Sequence, residues 1–115
     1  MNRDPNCVFC KIVAGQIPSK KAYEDDELLA FHDIAPWAPV HFLIVPKEHI
    51  ATMYDTGDVH AAMMGRMMAL APRLAREQGI LNGFRVVINT GPDGRQEVQH
   101  LHMHVMGGPR PWLKG

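Results

Sequence analysis

Along the chain, short apolar runs give way to a pattern with a period near 3.6 and then to a segment of clear alternation. "KAYE" (21–24) and "LLAFHD" (28–33) flank the charged turn "DDE" and predict two strands, and the nearly unbroken apolar run "HFLIVP" (41–46) predicts a third. Between them "IAPWAP" (34–39) reads as loop, because its two prolines fix φ and offer no N–H. The only long helical pattern runs from Asp58, a candidate N-cap, to Gly79, a candidate stop, with Met63, Met64, Met67, Met68, Ala71 and Leu74 on its apolar stripe. Pro72 is expected to kink this helix or split off its last turns. "FRVVIN" (84–89) predicts a fourth strand, "TGPDGR" (90–95) a glycine-rich connection, and "VQHLHMHV" (98–105) a fifth strand with clear alternation. Near the start, "CKIVAG" (10–15) reads as a short helix ended by Gly15. Strands, one main helix and two further strands predict an α+β fold with an antiparallel sheet.

Composition narrows this to one domain over residues 1–115: the chain is 46% hydrophobic and 21% charged. A domain of this size buries only about 60–70% of the surface its unfolded chain exposes, so a subunit interface or a metal adds useful stabilisation. Twelve basic residues balance twelve acidic ones, which leaves no electrostatic footprint for a nucleic acid polymer. The N-terminus is polar and the most apolar segment is interrupted by prolines, so no signal peptide or membrane span is expected, and the chain reads as cytoplasmic. Two cysteines spaced C-x-x-C agree with a reducing compartment and point to metal or redox chemistry rather than a structural disulfide. "EDDE" (24–27) reads as a solvated hairpin turn, and the methionine stripe as core and subunit contact.

The densest chemistry lies in "QHLHMHVMGG" (99–108). On a strand, His100, His102 and His104 project to one face while Leu101, Met103 and Val105 project to the other. The outer two imidazoles then stand about 13 Å apart, four steps of roughly 3.3 Å. Zinc–nitrogen bonds are only about 2 Å long, so one ion cannot hold all three, and the row suits an extended anion such as a phosphate ester better. Imidazole can serve there as nucleophile, proton carrier or donor.

"HLHMHVM" resembles the signature of the histidine-triad superfamily. "LLAFHDIAPWAPVHFLIVPKEHI", "FRVVINTGPDGRQEVQHLHMHVMGG" and Trp112 extend the resemblance, over nearly the whole chain, to its histidine-triad nucleotide-binding branch. That resemblance implies a five-stranded antiparallel sheet with one short N-terminal and one long central helix, dimerised so that the sheets join. The implied activity is hydrolysis of purine nucleoside phosphoramidates, of the adenosine phosphoramidate or AMP-lysine type, without an organic cofactor. His102 would attack the α-phosphorus, His104 would bond phosphoryl oxygens, and His41 would sit behind the triad and orient it. Asp33 would accept from the ribose hydroxyls, and Phe31, Ile34, Val8, Phe9 and Ile12 would form the slot for the base. Asn89 and the backbone amides around Arg95, Gln96 and Glu97 would hold the phosphate, while Trp112 would reach the partner subunit's site.

The same resemblance implies a structural zinc on Cys7, Cys10, His49 and His100. A thioredoxin-like role fits less well, since six residues before Cys7 leave no room for the strand it needs. The chain departs from some relatives in carrying Glu97 in place of a serine, Arg95 in place of a glycine, and a shorter tail. Two other readings stay open: cleavage of dinucleoside polyphosphates, and a nucleotide-binding regulatory module with incidental turnover.

Overall fold

The computed structural model describes residues 3–114. Helix α1 (Val8–Val13) precedes strands β1 (Lys21–Glu24), β2 (Leu28–His32) and β3 (Val40–Pro46). Helix α2 (Ala61–Glu77) follows, and the chain ends with strands β4 (Phe84–Val87) and β5 (Met103–Gly107). All pairings are antiparallel, and the spatial order is β1-β2-β3-β5-β4, so β5 is inserted between β3 and the edge strand β4. The fold is thus α+β, with a five-stranded sheet and a central helix.

Alternation along the inner strands builds two cores, one on each face. Leu28, Ala30, Phe42, Ile44, Leu101, Met103 and Val105 pack with Met63, Met67, Leu70 and Leu74 of α2. Leu29, Phe31, Leu43 and Val45 face the other way and pack with Cys7, Phe9, Cys10 and Ile12 around α1. The predicted split of the histidine segment therefore holds: its apolar residues join the α2 core, and its imidazoles lie on the α1 side.

Several boundaries differ from expectation for identifiable reasons. Strand β5 begins at Met103, so His100 and His102 precede the ladder in an extended approach. The β3–β5 register stops at Ile44 opposite Met103; beyond it the Leu101 amide donates to Ile50 O at 2.6 Å, and the Pro46 carbonyl accepts from the His100 ring at 2.8 Å. Helix α2 runs unbroken through Pro72. The carbonyl that loses its partner there belongs to Met68, an exposed residue, where water can replace the missing donor. Asp58 is not the N-cap of α2: it opens a 3-10 turn, Asp58–His60, and His60 occupies the cap position without a side-chain cap bond. Helix α1 starts earlier than predicted, with the Cys7 thiol accepting the Cys10 amide at 3.4 Å.

Gly79 does end α2. With φ +83° it forms a Schellman closure, in which Ile80 N–H bonds Ala75 O at 2.9 Å and Gly79 N–H bonds Arg76 O at 3.0 Å. Nor is the acidic hairpin merely solvated. Asp25 Oδ1 accepts from the amides of Glu27 and Leu28, each at 2.8 Å, and Arg66 of α2 ion-pairs with Asp25 and Glu27. Among the described residues no helix is long and apolar enough to cross a membrane.

Candidate active site

Sheet register sets the site. His104 lies opposite Leu43 of β3 and Val87 of β4, while His41 pairs with Met106 and so stands diagonally across from His104 on the same face. At the end of β5, Gly107 and Gly108 let the chain pass close to its neighbours: a Cβ would come within 2.6 Å of Ile80 at Gly107 and within 2.7 Å of Pro39 at Gly108. The row is therefore held between the strand ladder and the loop that carries Pro39.

Backbone groups decide where each imidazole keeps its proton. His102 Nδ1 stands 2.6 Å from the His100 carbonyl, which can only accept, so Nδ1 carries the hydrogen and Nε2 is left as a bare lone pair. His41 Nδ1 accepts the Trp37 amide at 3.0 Å, which places the His41 proton on Nε2. That N–H donates to His104 Nδ1 at 2.9 Å, so the hydrogen of neutral His104 sits on its Nε2. A lone pair on His102 and an N–H on His104 thus occur on rings whose centroids are 5.0 Å apart.

Burial keeps these rings neutral. It pushes the pKa of His104 down to about 4, helped by the neighbouring His102 and His41. Burial lowers His102 and His41 as well, against the opposing pull of Asp33 on both and of Glu97 on His102. His102 packs edge-on against Phe9 at 5.1 Å, yet it is not drawn into the cysteine cluster.

Cys7, Cys10, His49 and His100 bring their ligand atoms within 4.8 Å of one another. His100 donates Nε2–H to Pro46 O, so its bare Nδ1 faces Cys7 Sγ at 3.3 Å and Cys10 Sγ at 3.6 Å, and His49 Nδ1 lies 3.4 Å from Cys10 Sγ. A tetrahedral zinc with ordinary bond lengths separates sulfur from nitrogen by about 3.5 Å. Donor set and spacing therefore fit zinc. A second cluster, Asp33, His41 and His104, is equally tight but fits a cation poorly: the His41 nitrogen that faces the others carries the proton fixed by Trp37.

The residues expected to bind a nucleotide fall into groups. Phe9, Phe31 and Ile12 are buried together, with Phe9 and Phe31 edge to face at 5.5 Å, so they form a floor. Val8 and Ile34 are exposed beside them. Asp33 is half-buried: Oδ1 accepts the Ala35 amide at 2.8 Å and Oδ2 lies 3.6 Å from His41 Nε2, so the residue both shapes its turn and faces the histidines. Asn89 follows the end of β4 and is half-buried.

Two of the amides assigned to phosphate are engaged inside the loop: Arg95 N–H bonds Pro92 O at 3.0 Å and Gln96 N–H bonds Gly91 O at 3.1 Å. The Gln96 side chain clamps the loop, accepting from Gly91 and donating to Ala51 O and Val98 O. Glu97 is exposed, which keeps its charge in water. Trp112 packs with its own chain, under Arg110 at 3.6 Å and with Nε1–H donating to Gly108 O.

One residue of the site escaped the sequence reading. Trp37 fixes His41 through its amide, lies parallel to the His104 ring at 6.3 Å, and accepts the Leu113 amide on its carbonyl at 2.8 Å. Its spacing four residues before His41 carries no pattern that single-sequence reading could weigh.

An α+β sheet whose buried imidazoles have their protons assigned by the backbone defines the class of protein. The profile described as HIT domain matches residues 14–110, and the chain belongs to that family. It is 46% identical to Protein HitA of Neisseria gonorrhoeae over 90% of this chain and 97% of that one. It is 43% identical to the 14 kDa zinc-binding protein of Brassica juncea (88% and 91% covered) and 41% identical to Adenylylsulfatase HINT1 of Arabidopsis thaliana (91% and 73%). Among solved structures, a histidine triad protein from Clostridium difficile superposes with TM-score 0.90 at 44% identity, covering 95% of this chain and 96% of that one. A HIT family hydrolase from Legionella pneumophila gives 0.88 at 44%, covering 91% and 95%.

Proposed function

We propose that this chain is a purine nucleoside phosphoramidase, a single domain over residues 1–115 that works as a homodimer and carries a structural zinc. The observation that carries the reading is the bare Nε2 of His102 beside the Nε2–H of His104. Relatives named as a hydrolase and an adenylylsulfatase support nucleotide hydrolysis at this site.

In the proposed reaction the His102 lone pair forms a bond to the α-phosphorus. The phosphorus–nitrogen bond breaks, and its electron pair goes to the leaving nitrogen, which takes a proton from water. Water then attacks the phosphorus of the nucleotidyl-imidazole, releases a proton, and frees the nucleotide and His102. With a pKa near 4, His104 at neutral pH is a hydrogen-bond donor to a phosphoryl oxygen rather than an acid. Asp33 accepts from the ribose, and Val8 and Ile34 cover the base above the Phe9–Phe31 floor. Zinc on Cys7, Cys10, His49 and His100 would cross-link α1 to the approach of β5; it takes no part in bond breaking.

The homodimer reading rests on β4, which ends the sheet with an open edge. Phe84 on that strand, Leu81 before it and Met68 of α2 are exposed apolar groups. A cavity of about 640 Å³ runs along β4 beside Phe84, Arg85, Arg110 and Trp112 rather than at the triad, as an uncovered subunit contact would.

The test compares wild type with His102→Ala for hydrolysis of adenosine 5′-phosphoramidate and for AMP binding by calorimetry. Cleavage is expected to fall about 10³-fold or more while binding persists. Unchanged cleavage in the variant overturns the reading. A wild type that binds AMP but turns over none of a panel including the guanosine analogue, adenylyl sulfate and a diadenosine polyphosphate is a binding module instead.

A further inference from the structure

The four-residue segment Asp4-Pro5-Asn6-Cys7 enters α1 through a β-turn. Asp4 O accepts the Cys7 amide at 3.1 Å, as proline at the second position of a turn favours. Asp4 Oδ1 accepts the Asn6 amide at 2.8 Å, which fixes the plane of the carboxylate. Two further contacts then follow. The Asp4 backbone N–H donates to Cys10 Sγ at 3.4 Å, and Oδ2 stands 4.0 Å from His49 Nε2. One residue outside the donor set thus bonds the Cys7 amide and the Cys10 sulfur, and places a carboxylate oxygen 4.0 Å from the outer nitrogen of the His49 ring, beyond direct hydrogen-bond reach. His49 presents Nδ1 to Cys10, so Nε2 is the nitrogen that carries the hydrogen when Nδ1 serves as a ligand.

We propose that Asp4 is a positioning residue of the Cys7–Cys10–His49–His100 centre, orienting His49 with its carboxylate and the Cys10 thiolate with its amide, and that it raises the affinity of the centre for a thiophilic divalent cation. A carboxylate behind a ligating imidazole holds the ring in one tautomer and makes it a better donor; loss of such a partner ordinarily costs about 10- to 100-fold in metal affinity. An N–H directed at sulfur stabilises the thiolate over the thiol. The turn that makes these contacts is specified locally, since aspartate, proline and asparagine are the residue types such a turn prefers.

The inference rests on the zinc reading and is independent of the phosphoramidase reading, so its test uses zinc alone. Zinc affinity is measured by competition with a chromogenic chelator for wild type, Asp4→Ala and Asp4→Asn, and unfolding temperature is measured with and without zinc. Asp4→Ala is expected to bind zinc about 10- to 100-fold more weakly and to gain less thermal stability from it. Asp4→Asn, which keeps an acceptor and the turn, is expected to fall between. The expected signature is a zinc-induced rise in unfolding temperature that shrinks in Asp4→Ala by more than the metal-free unfolding temperature falls from loss of the Asn6 bond. Affinity within two-fold of wild type overturns the proposal, as does an equal loss of stability with and without zinc, which would make Asp4 a turn former only. A wild type that takes up no zinc overturns both this inference and the zinc reading, and leaves the hydrolytic one standing.

Discussion

At the scale of single residues, fixed hydrogen-bond partners assign the protons of the imidazole row without charging it. Each imidazole of the row spends one nitrogen on a fixed partner: His100 on Pro46 O, His102 on the His100 carbonyl, His104 on His41. What remains differs usefully, with a lone pair on His102 and an N–H on His104. If His104 acts as a fixed donor, His104→Ala slows cleavage by about 10²–10³-fold, the ordinary cost of losing one such donor. That factor should be the same for phosphoramidates of weakly and strongly basic leaving amines, checked by single-turnover rates. A factor that grows with leaving-amine basicity would make His104 a proton donor instead. His41→Phe keeps bulk but removes the N–H that sets His104, and is expected to lower kcat with little change in nucleotide affinity.

At the scale of elements, the inner strands were legible as short apolar runs bounded by turns, and the chemistry-bearing face was legible because the histidine segment alternates with a period of two. Leu101, Met103 and Val105 went to the α2 core as their alternation required, whichever residue the ladder starts from. Met103→Ala should accordingly cost about 2–5 kcal/mol, measured by urea unfolding, since its side chain is fully buried under α2. What was not legible is tertiary. Nothing in the local pattern reveals that the Pro46 carbonyl meets a histidine ring and the Leu101 amide meets Ile50 O where the ladder stops, or that Met68 is exposed where Pro72 removes a donor. The Trp37 amide and the Gln96 side chain matter through contacts with residues brought near by the fold. The ligand set Cys7, Cys10, His49 and His100 came from the family resemblance, and spacing alone would have supplied only the cysteine pair.

At the scale of the molecule, two cores on opposite faces of one sheet hold the histidine row in place, and protonation couples that row to stability. Burial holds His104 down at about 4 and lowers His41, while the unfolded chain takes up protons near the ordinary histidine value of about 6.5. Between those values the unfolded state binds more protons than the native one, so stability falls as pH is lowered from 6.5 towards 4. Replacing His104 with Gln should make this acid limb shallower without removing it, since burial also lowers His41, His100 and His102, as measured by urea unfolding across that range; an unaltered limb would place the protons elsewhere. The central claim, that the backbone leaves His102 Nε2 unprotonated beside a protonated His104 Nε2, is open to one direct measurement. Long-range ¹H–¹⁵N correlation of the imidazoles at pH 7 is predicted to show neutral His102 with its hydrogen on Nδ1, and neutral His41 and His104 with theirs on Nε2. A His102 ring that is imidazolium, or that carries its hydrogen on Nε2, would contradict the account.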